Sequence, residues 1–339
     1  MTRDEAGQAL AARIRAFVDA SVTGAAHEPA DTLAVDIFAY QRARDAVARA
    51  LAPEPVTSVH DIPAVPVALF KQLAVGTVAA QDAGAVYRTS GTTRTGRGVH
   101  AMAAPDLYEH NAIVWARHCL GPFPTEVVGL LSDPSHVPDA SLSHMVAAFH
   151  DAGAGDCTWH VHDGQLDRYG LDQRIAALGA PAFIGATAFA LAEWLDGDVP
   201  RPPAGSVLMV TGGFKGRIHK LDGSELLTVA AERLGCRVVT EYGMTELSSQ
   251  LWGEPDGPFA PPPWLVATAV DPLTGEGVPT GTPGQLRFLD LCNLDAAVHI
   301  ETLDQGIVHG DGRVTLFGRL PGAPARGCSL TIEEAWEAR

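Results

Sequence analysis

Apolar residues recur at helical spacing twice near the start of the chain. Leu10, Ile14, Phe17 and Val18 share one face of a helix over 4–22, and Leu33, Ile37, Tyr40, Val47 and Leu51 mark a second helical stretch over 33–51. Both are expected to cover a core. Pro53, Pro55, Pro63 and Pro66 then end the helical pattern, and the short run 65–73 leads to a first strand near 85–89. Beyond it the two periods alternate. Helix 105–119 precedes strand 126–131, helix 141–151 precedes strand 157–162, and helix 168–178 precedes strand 181–185. Helix 187–196 precedes strand 206–211, and helix 222–234 leads into strand 236–241. Repeated alternation with Val/Leu/Ile-rich strands predicts an α/β fold with a largely parallel, helix-covered sheet.

From Pro255 the texture changes. A proline cluster (Pro258, Pro261, Pro262, Pro263) precedes strand-like segments at 264–270, 284–289, 297–302 and 314–317, separated by Asp-Gly and Thr-Gly turns. The expected organisation is an α/β core with N-terminal helices over 1–254 and a smaller β-rich subdomain with a C-terminal tail over 255–339.

Composition narrows the function classes. At 339 residues the chain can bury a large core without a partner, and a net charge of −16 opposes non-specific binding to nucleic acid or anionic lipid. The five cysteines (119, 157, 236, 292 and 328) form no Cys-x-x-Cys pair and leave one over, which suits reduced thiols. No apolar run reaches transmembrane length and the N-terminus does not read as a signal peptide, so the expectation is a soluble cytoplasmic protein with no membrane or nucleic-acid partner.

Against that acidic background, Tyr87-Arg-Thr-Ser-Gly-Thr-Thr-Arg-Thr-Gly-Arg-Gly98 concentrates glycines, hydroxyls and three guanidiniums. Glycine lets backbone N–H groups approach an anion, Ser90, Thr92, Thr93 and Thr95 add donors, and Arg94 and Arg97 add fixed charge, so a polyphosphate fits. The alternative is a solvated hairpin turn. Gly91 and Gly96 have the P-loop interval, but Arg97-Gly98 stands where Lys-Ser/Thr belongs. The second motif, Thr240-Glu-Tyr-Gly-Met-Thr-Glu-Leu247, begins where the run 237–239 ends. At a strand end Tyr242 suits stacking on a base, Thr245 a phosphate, and Glu246 a Mg2+ ion, whereas the bland alternative is a strand exit with a half-buried tyrosine and a surface glutamate. Cys157, His160 and His162 are metal-ligand types, but strand alternation separates them and no second cluster with zinc spacing appears. Neither a Gly-x-Ser-x-Gly elbow nor a strict dinucleotide fingerprint is present.

The two motifs, in this order and about 150 residues apart, make the chain resemble the adenylate-forming superfamily. Thr89 to Gly98 matches that family's phosphate loop except for Arg94, Gly96 and Arg97 at its Gly, Pro and Lys positions, and Tyr242 to Glu246 matches its Tyr-Gly-x-Thr-Glu motif in full. The resemblance implies that Ser90, Gly91, Thr92, Thr93, Arg97, Gly212, Gly213, Tyr242, Gly243 and Thr245 bind ATP. It also implies that Asp304 binds the ribose hydroxyls and that Arg319 belongs to the arginine-bearing segment. Pro66-Val67, Phe70-Lys71, Ser141-Leu-Ser-His-Met145, Gly185-Ala-Thr-Ala-Phe189, Gly212-Gly-Phe-Lys215 and Arg326-Gly-Cys-Ser-Leu330 resemble one branch, the LuxE-type acyl-protein synthetases of bacterial luminescence systems.

The function so implied is ATP- and Mg2+-dependent activation of a carboxylic acid as an acyl-adenylate, followed by transfer to a thiol. Arg97, Thr245 and Glu246 would be catalytic, with Glu246 as metal ligand, and Gly185, Thr187, Phe189 and Phe214 would line the acyl pocket. Only 20 residues follow Arg319, which leads to the expectation that the family's mobile C-terminal domain is lacking. That favours transfer to Cys328 or to a reductase or carrier partner. From the residues alone Cys328 reads as a cap of the final helix; the LuxE-type resemblance makes it the candidate nucleophile. Two rivals remain: a non-catalytic nucleotide-binding or scaffolding subunit, and an acyl-CoA ligase working without the lid.

Overall fold

The computed structural model describes residues 3–89, 96–153, 155–212 and 223–321. Helix α1 (Glu5–Thr23) starts at Asp4, whose carboxylate accepts from Gly7 N at 2.9 Å, and stops at Gly24, which takes the left-handed conformation (φ 72°). The second helical stretch is two helices, α2 (Ala30–Arg44) and α3 (Ala46–Leu51). Asp45 divides them because its side chain caps the N–H groups of Val47 and Ala48, holding its own backbone extended (φ −98°, ψ 126°). Strand β1 (Val65–Pro66) runs into a 3-10 turn over Val67–Lys71, and β2 (Ala85–Arg88) pairs antiparallel with β3 (Val99–Met102).

The chain then alternates as the periodicity predicts, through α4 (Asp106–Leu120), β4 (Glu126–Ser132), α5 (Ser141–Gly153), β5 (Asp156–His162) and the short β6 (Gln165–Leu166). It continues through α6 (Arg168–Ala176), β7 (Ala182–Thr187), α7 (Ala188–Leu195), β8 (Val207–Thr211), α8 (Gly223–Leu234) and β9 (Arg237–Tyr242). The late strands are β10 (Leu251–Gly253), β11 (Leu265–Val270), β12 (Pro283–Asp290), β13 (His299–Val308) and β14 (Val314–Arg319).

Two compact units emerge, each discontinuous in sequence. One comprises the described parts of Met1–His118, Gly243–Leu251 and Ala260–Ala323; the other those of Cys119–Tyr242 and Trp252–Phe259. In the first, β1, β13, β12 and β11 form a sheet with β14 added to β13. The N-terminal helices go with these late strands, unlike the division at 254/255 expected from texture. The reason is Gln41 on α2: its amide donates to Asn293 O and Leu294 O at 2.8 and 3.0 Å and accepts from Val298 N at 3.0 Å, fixing the helix to the β12–β13 connection. Arg3 adds a buried ion pair with Asp295 at 2.8 Å.

The second unit holds a sheet in the order β10-β9-β8-β7-β4-β5-β6, in which β5, β4, β7, β8 and β9 pair parallel. Every residue of β7 and β8 is buried, as expected of central parallel strands covered on both faces. Val128, Ile184, Leu208 and Val238 pack against Leu171 of α6, Leu191 and Trp194 of α7, and Leu226 of α8. A separate aromatic group, with Phe149 of α5 edge-on to Phe183 of β7 at 5.5 Å, anchors α5 to the sheet.

Candidate active site

The glycine- and hydroxyl-rich segment spans the turn of the β2–β3 hairpin. Its base is closed by Thr89, whose N–H donates to Gly98 O at 2.9 Å and whose Oγ1 accepts from Gly98 N at 2.7 Å. Arg97 turns back onto the same hairpin: its Nε donates to Thr89 O at 2.9 Å and its Nη2 lies 3.4 Å from Arg88 O. Ser90, Gly91, Thr92, Thr93 and Arg94 lie outside the described residues.

Immediately after the hairpin, His100 on β3 is fully buried, and its Nδ1 lies 2.5 Å from Thr245 O. A carbonyl only accepts, so Nδ1 carries the proton; burial holds this imidazole below its ordinary pKa and therefore neutral. In the first unit the hairpin and the Thr-Glu end of the second motif, far apart in sequence, are thus joined by one side chain. The segment that follows Thr245 is fixed by further buried polar groups. Asn293 donates to Glu246 O at 2.9 Å and to Ala297 O at 2.8 Å, and its Oδ1 accepts from Ser248 Oγ at 3.1 Å. Asn111 on α4 donates to Ser248 O at 2.9 Å.

Asp290, at the end of β12, accepts from Ser248 N and Ser249 N at 2.9 Å each, from Ser249 Oγ at 2.7 Å and from Cys292 N at 3.0 Å. Burial pushes the pKa of Asp290 up to about 6, against those donors, which pull it down. Glu246 itself is buried and Thr245 partly exposed. His100, Asn111, Asp290 and Asn293 escaped the sequence reading. No local pattern marks His100 or Asn111, and Asp290 and Asn293 fall in Asp290-Leu-Cys-Asn-Leu-Asp295, which reads equally well as a solvated loop.

Asp304 and Arg319 are brought together in the same unit. They are cross-strand partners on β13 and β14, with Arg319 Nε 3.4 Å from Asp304 Oδ1, and Asp304 is 6% exposed.

In the second unit the C-terminal ends of three neighbouring parallel strands carry sequence-picked residues. Thr187 pairs in register with Thr211, and Thr211 with Glu241, so Thr187 and Tyr242 end β7 and β9 on either side of the end of β8, which Gly212 follows. Ligands of open α/β sheets bind at this edge. Gly212 has φ 121°, a backbone that side chains rarely adopt. The Thr211 hydroxyl donates to Glu241 Oε2 at 2.6 Å, and the ring of Tyr242 leans on Phe259 at 6.0 Å.

The described residues expected to line an acyl pocket have structural duties. Gly185 sits beneath α5, where an added Cβ would stand 3.1 Å from Val146 Cγ2; Thr187 Oγ1 caps α7 through Ala190 N at 3.2 Å; and Phe189 packs on the core. Gly213, Phe214 and Cys328 lie outside the described residues. Burial raises the pKa of the thiols of Cys119 and Cys157 to about 12 and of Cys236 to about 11, and raises that of Cys292 as well.

No family model matches the chain. A stretch is 25% identical over 143 residues to the long-chain-fatty-acid–luciferin-component ligase of Vibrio harveyi, spanning 39% of this chain and 38% of that protein. Among solved structures, ATP-bound MatB from Rhodopseudomonas palustris superposes with a TM-score of 0.52 at 19% identity, covering 72% of this chain and 49% of that one. The o-succinylbenzoate coenzyme A synthetase MenE from Bacillus subtilis, in complex with AMP, superposes with a TM-score of 0.53 at 18% identity, covering 73% of this chain and 53% of that one. The anthranilate CoA ligase AuaEII in complex with anthranoyl-AMP gives 0.52 at 15% identity. The chain therefore spans under two fifths of its curated relative and about half of these solved chains. It has the fold of the adenylate-forming acyl and acyl-CoA synthetases, and its sequence is LuxE-like over the matched stretch.

Proposed function

We propose that the protein activates a carboxylic acid with ATP and passes the acyl group to a thiol. The observation that carries this reading is the Tyr242-Gly-Met-Thr-Glu246 segment, which leaves the end of the parallel strand β9 and whose Thr-Glu end is fixed by His100 and Asn293. Fixing donors and acceptors before substrate arrives is what stabilises a charged transition state. In the first step an oxygen of the acid attacks the α-phosphorus, the bond from that phosphorus to the bridging oxygen breaks, and pyrophosphate leaves with the electron pair. In the second, a thiolate attacks the acyl carbon and AMP leaves.

On the first unit, Thr245 supplies a hydroxyl to the phosphate and Asp304 takes the ribose hydroxyls. Glu246 supplies a hard carboxylate oxygen of the kind Mg2+ prefers. Among the described residues no three His, Cys, Asp or Glu side chains converge on one point, so the ion fits as one held by Glu246, substrate phosphates and water. When bound, it neutralises phosphate charge.

For the acceptor we favour Cys328 on the LuxE-type resemblance of its Arg326-Gly-Cys-Ser-Leu330 context, beside four described cysteines whose thiol pKa burial raises. The test incubates the protein with ATP, Mg2+ and a panel of aliphatic and aryl acids, following pyrophosphate release and the intact mass. A hydroxylamine-labile acyl mass on Cys328 supports the reading. Turnover only with coenzyme A points to a CoA ligase, and nucleotide binding without pyrophosphate release points to a scaffolding subunit.

A further inference from the structure

Lysine is scarce in this chain: Lys71, Lys215 and Lys220 are its only three among 24 basic residues, so arginine is the default cation. A guanidinium is a broad planar fork, whereas an ammonium is a compact charge with three donors, a form that serves phosphate as a point charge. Lys71 ends the 3-10 turn that follows β1. The preceding residue, Phe70, is buried with its ring edge-on to His100 at 6.4 Å, so the turn packs on the side chain that joins the hairpin to Thr245. Lys71 continues this contact along the hairpin base. A Cβ on Gly98 would stand 3.6 Å from Lys71 Cγ, and Gly98 is the residue whose N–H closes the hairpin on Thr89.

Lys71 and Arg97 differ in their commitments. Arg97 is bonded to the carbonyls of Thr89 and Arg88. Lys71 is partly buried, and among the described residues its ammonium has no hydrogen-bond or ion-pair partner. In a chain of net charge −16, a cation with no carboxylate partner among the described residues, at the base of this hairpin, is placed for an anion from outside.

We propose that Lys71 binds the polyphosphate end of the nucleotide at the base of the β2–β3 hairpin, alongside Thr89, Arg97 and Gly98. The inference rests on the nucleotide reading above and adds to it a cation that neither motif contains. The leaving pyrophosphate carries more negative charge than the phosphate of AMP, so a point cation gains most there.

Two measurements test it on the full chain. In the first, Lys71→Met and wild type are compared by calorimetry for binding of Mg-ATP, pyrophosphate and AMP, with a thermal melt of each. Loss of a charge-assisted contact weakens ATP and pyrophosphate about tenfold or more, with AMP changed less than about twofold. In the second, wild type is acetylated at limiting reagent and the sites mapped by mass spectrometry, which three lysines make simple. Pyrophosphate slows acetylation of Lys71 and AMP does not. The proposal is overturned by equal affinities in the two proteins, by parallel losses for AMP and pyrophosphate, or by an acetylation rate at Lys71 that ignores pyrophosphate. The footprint needs no turnover, so it stays decisive if Lys71→Met fails to fold. It also separates failure of this inference from failure of the adenylation reading, which shows instead as no acid-dependent pyrophosphate release.

Discussion

Asn293 serves three groups at once, the carbonyls of Glu246 and Ala297 and the hydroxyl of Ser248, all buried. Asn293→Ala leaves them without that partner, which should lower stability by about 1–3 kcal/mol; urea unfolding measures it, and a loss below about 0.5 kcal/mol would mean that water replaces the amide. Asp304 makes a prediction of a different kind. If its carboxylate accepts the ribose hydroxyls, Asp304→Ala weakens ATP binding about ten- to hundred-fold. Equal affinity of wild type for ATP and 2′-deoxy-ATP would contradict that role. A reading of the sequence singles out Asp304, Tyr242, Thr245 and Glu246 as candidates because their motif is contiguous or their spacing family-like. It missed His100 and Asn293 because their function is to bond a backbone carbonyl far along the chain, and no local pattern encodes such a partner.

At the scale of elements, hydrophobic period located most helices and strands, since each buries one face or both, while β3, β6 and β10, each of two to four residues, escaped it. The break within 33–51 is instructive. Apolar positions on 33–51 kept helical spacing across Asp45, yet the carboxylate competes for the N–H groups of Val47 and Ala48 and starts a new helix. Asp45→Ala is expected to cost about 1–2 kcal/mol, read by denaturant unfolding; an unchanged midpoint would show that the break is set by packing instead. Pairing partners were less legible than elements. The parallel run β5-β4-β7-β8-β9 follows from αβ alternation, whereas the attachment of the N-terminal helices to the β12–β13 connection depends on Gln41, one polar residue inside a helix.

For the whole molecule, buried titratable groups set the response to pH. Burial lowers the pKa of His100, His160 and His299 from 6.5, so the unfolded chain binds protons there first and the stability these groups contribute is lost as pH falls below about 6.5. Asp290 acts with the opposite sign: its pKa is raised from 3.8 to about 6, so its contribution is present below about 4 and lost as pH rises through about 6. The histidines begin to lose stability near 6.5 while Asp290 gains protons only as pH approaches about 6, so the melting temperature is expected to drop from pH 7.5 to pH 5.5. A rise over that interval would mean that Asp290 dominates.

The central claim, acid activation through an adenylate, is tested most directly by exchange of labelled pyrophosphate into ATP, because exchange requires reversible formation of the adenylate and needs no knowledge of the thiol acceptor. The account predicts exchange that depends on a carboxylic acid and on Mg2+ and that Glu246→Gln nearly abolishes with its melting temperature unchanged, since an amide loses most of the attraction for the ion. Absence of exchange across a broad panel of acids, in protein shown to bind ATP, would contradict it.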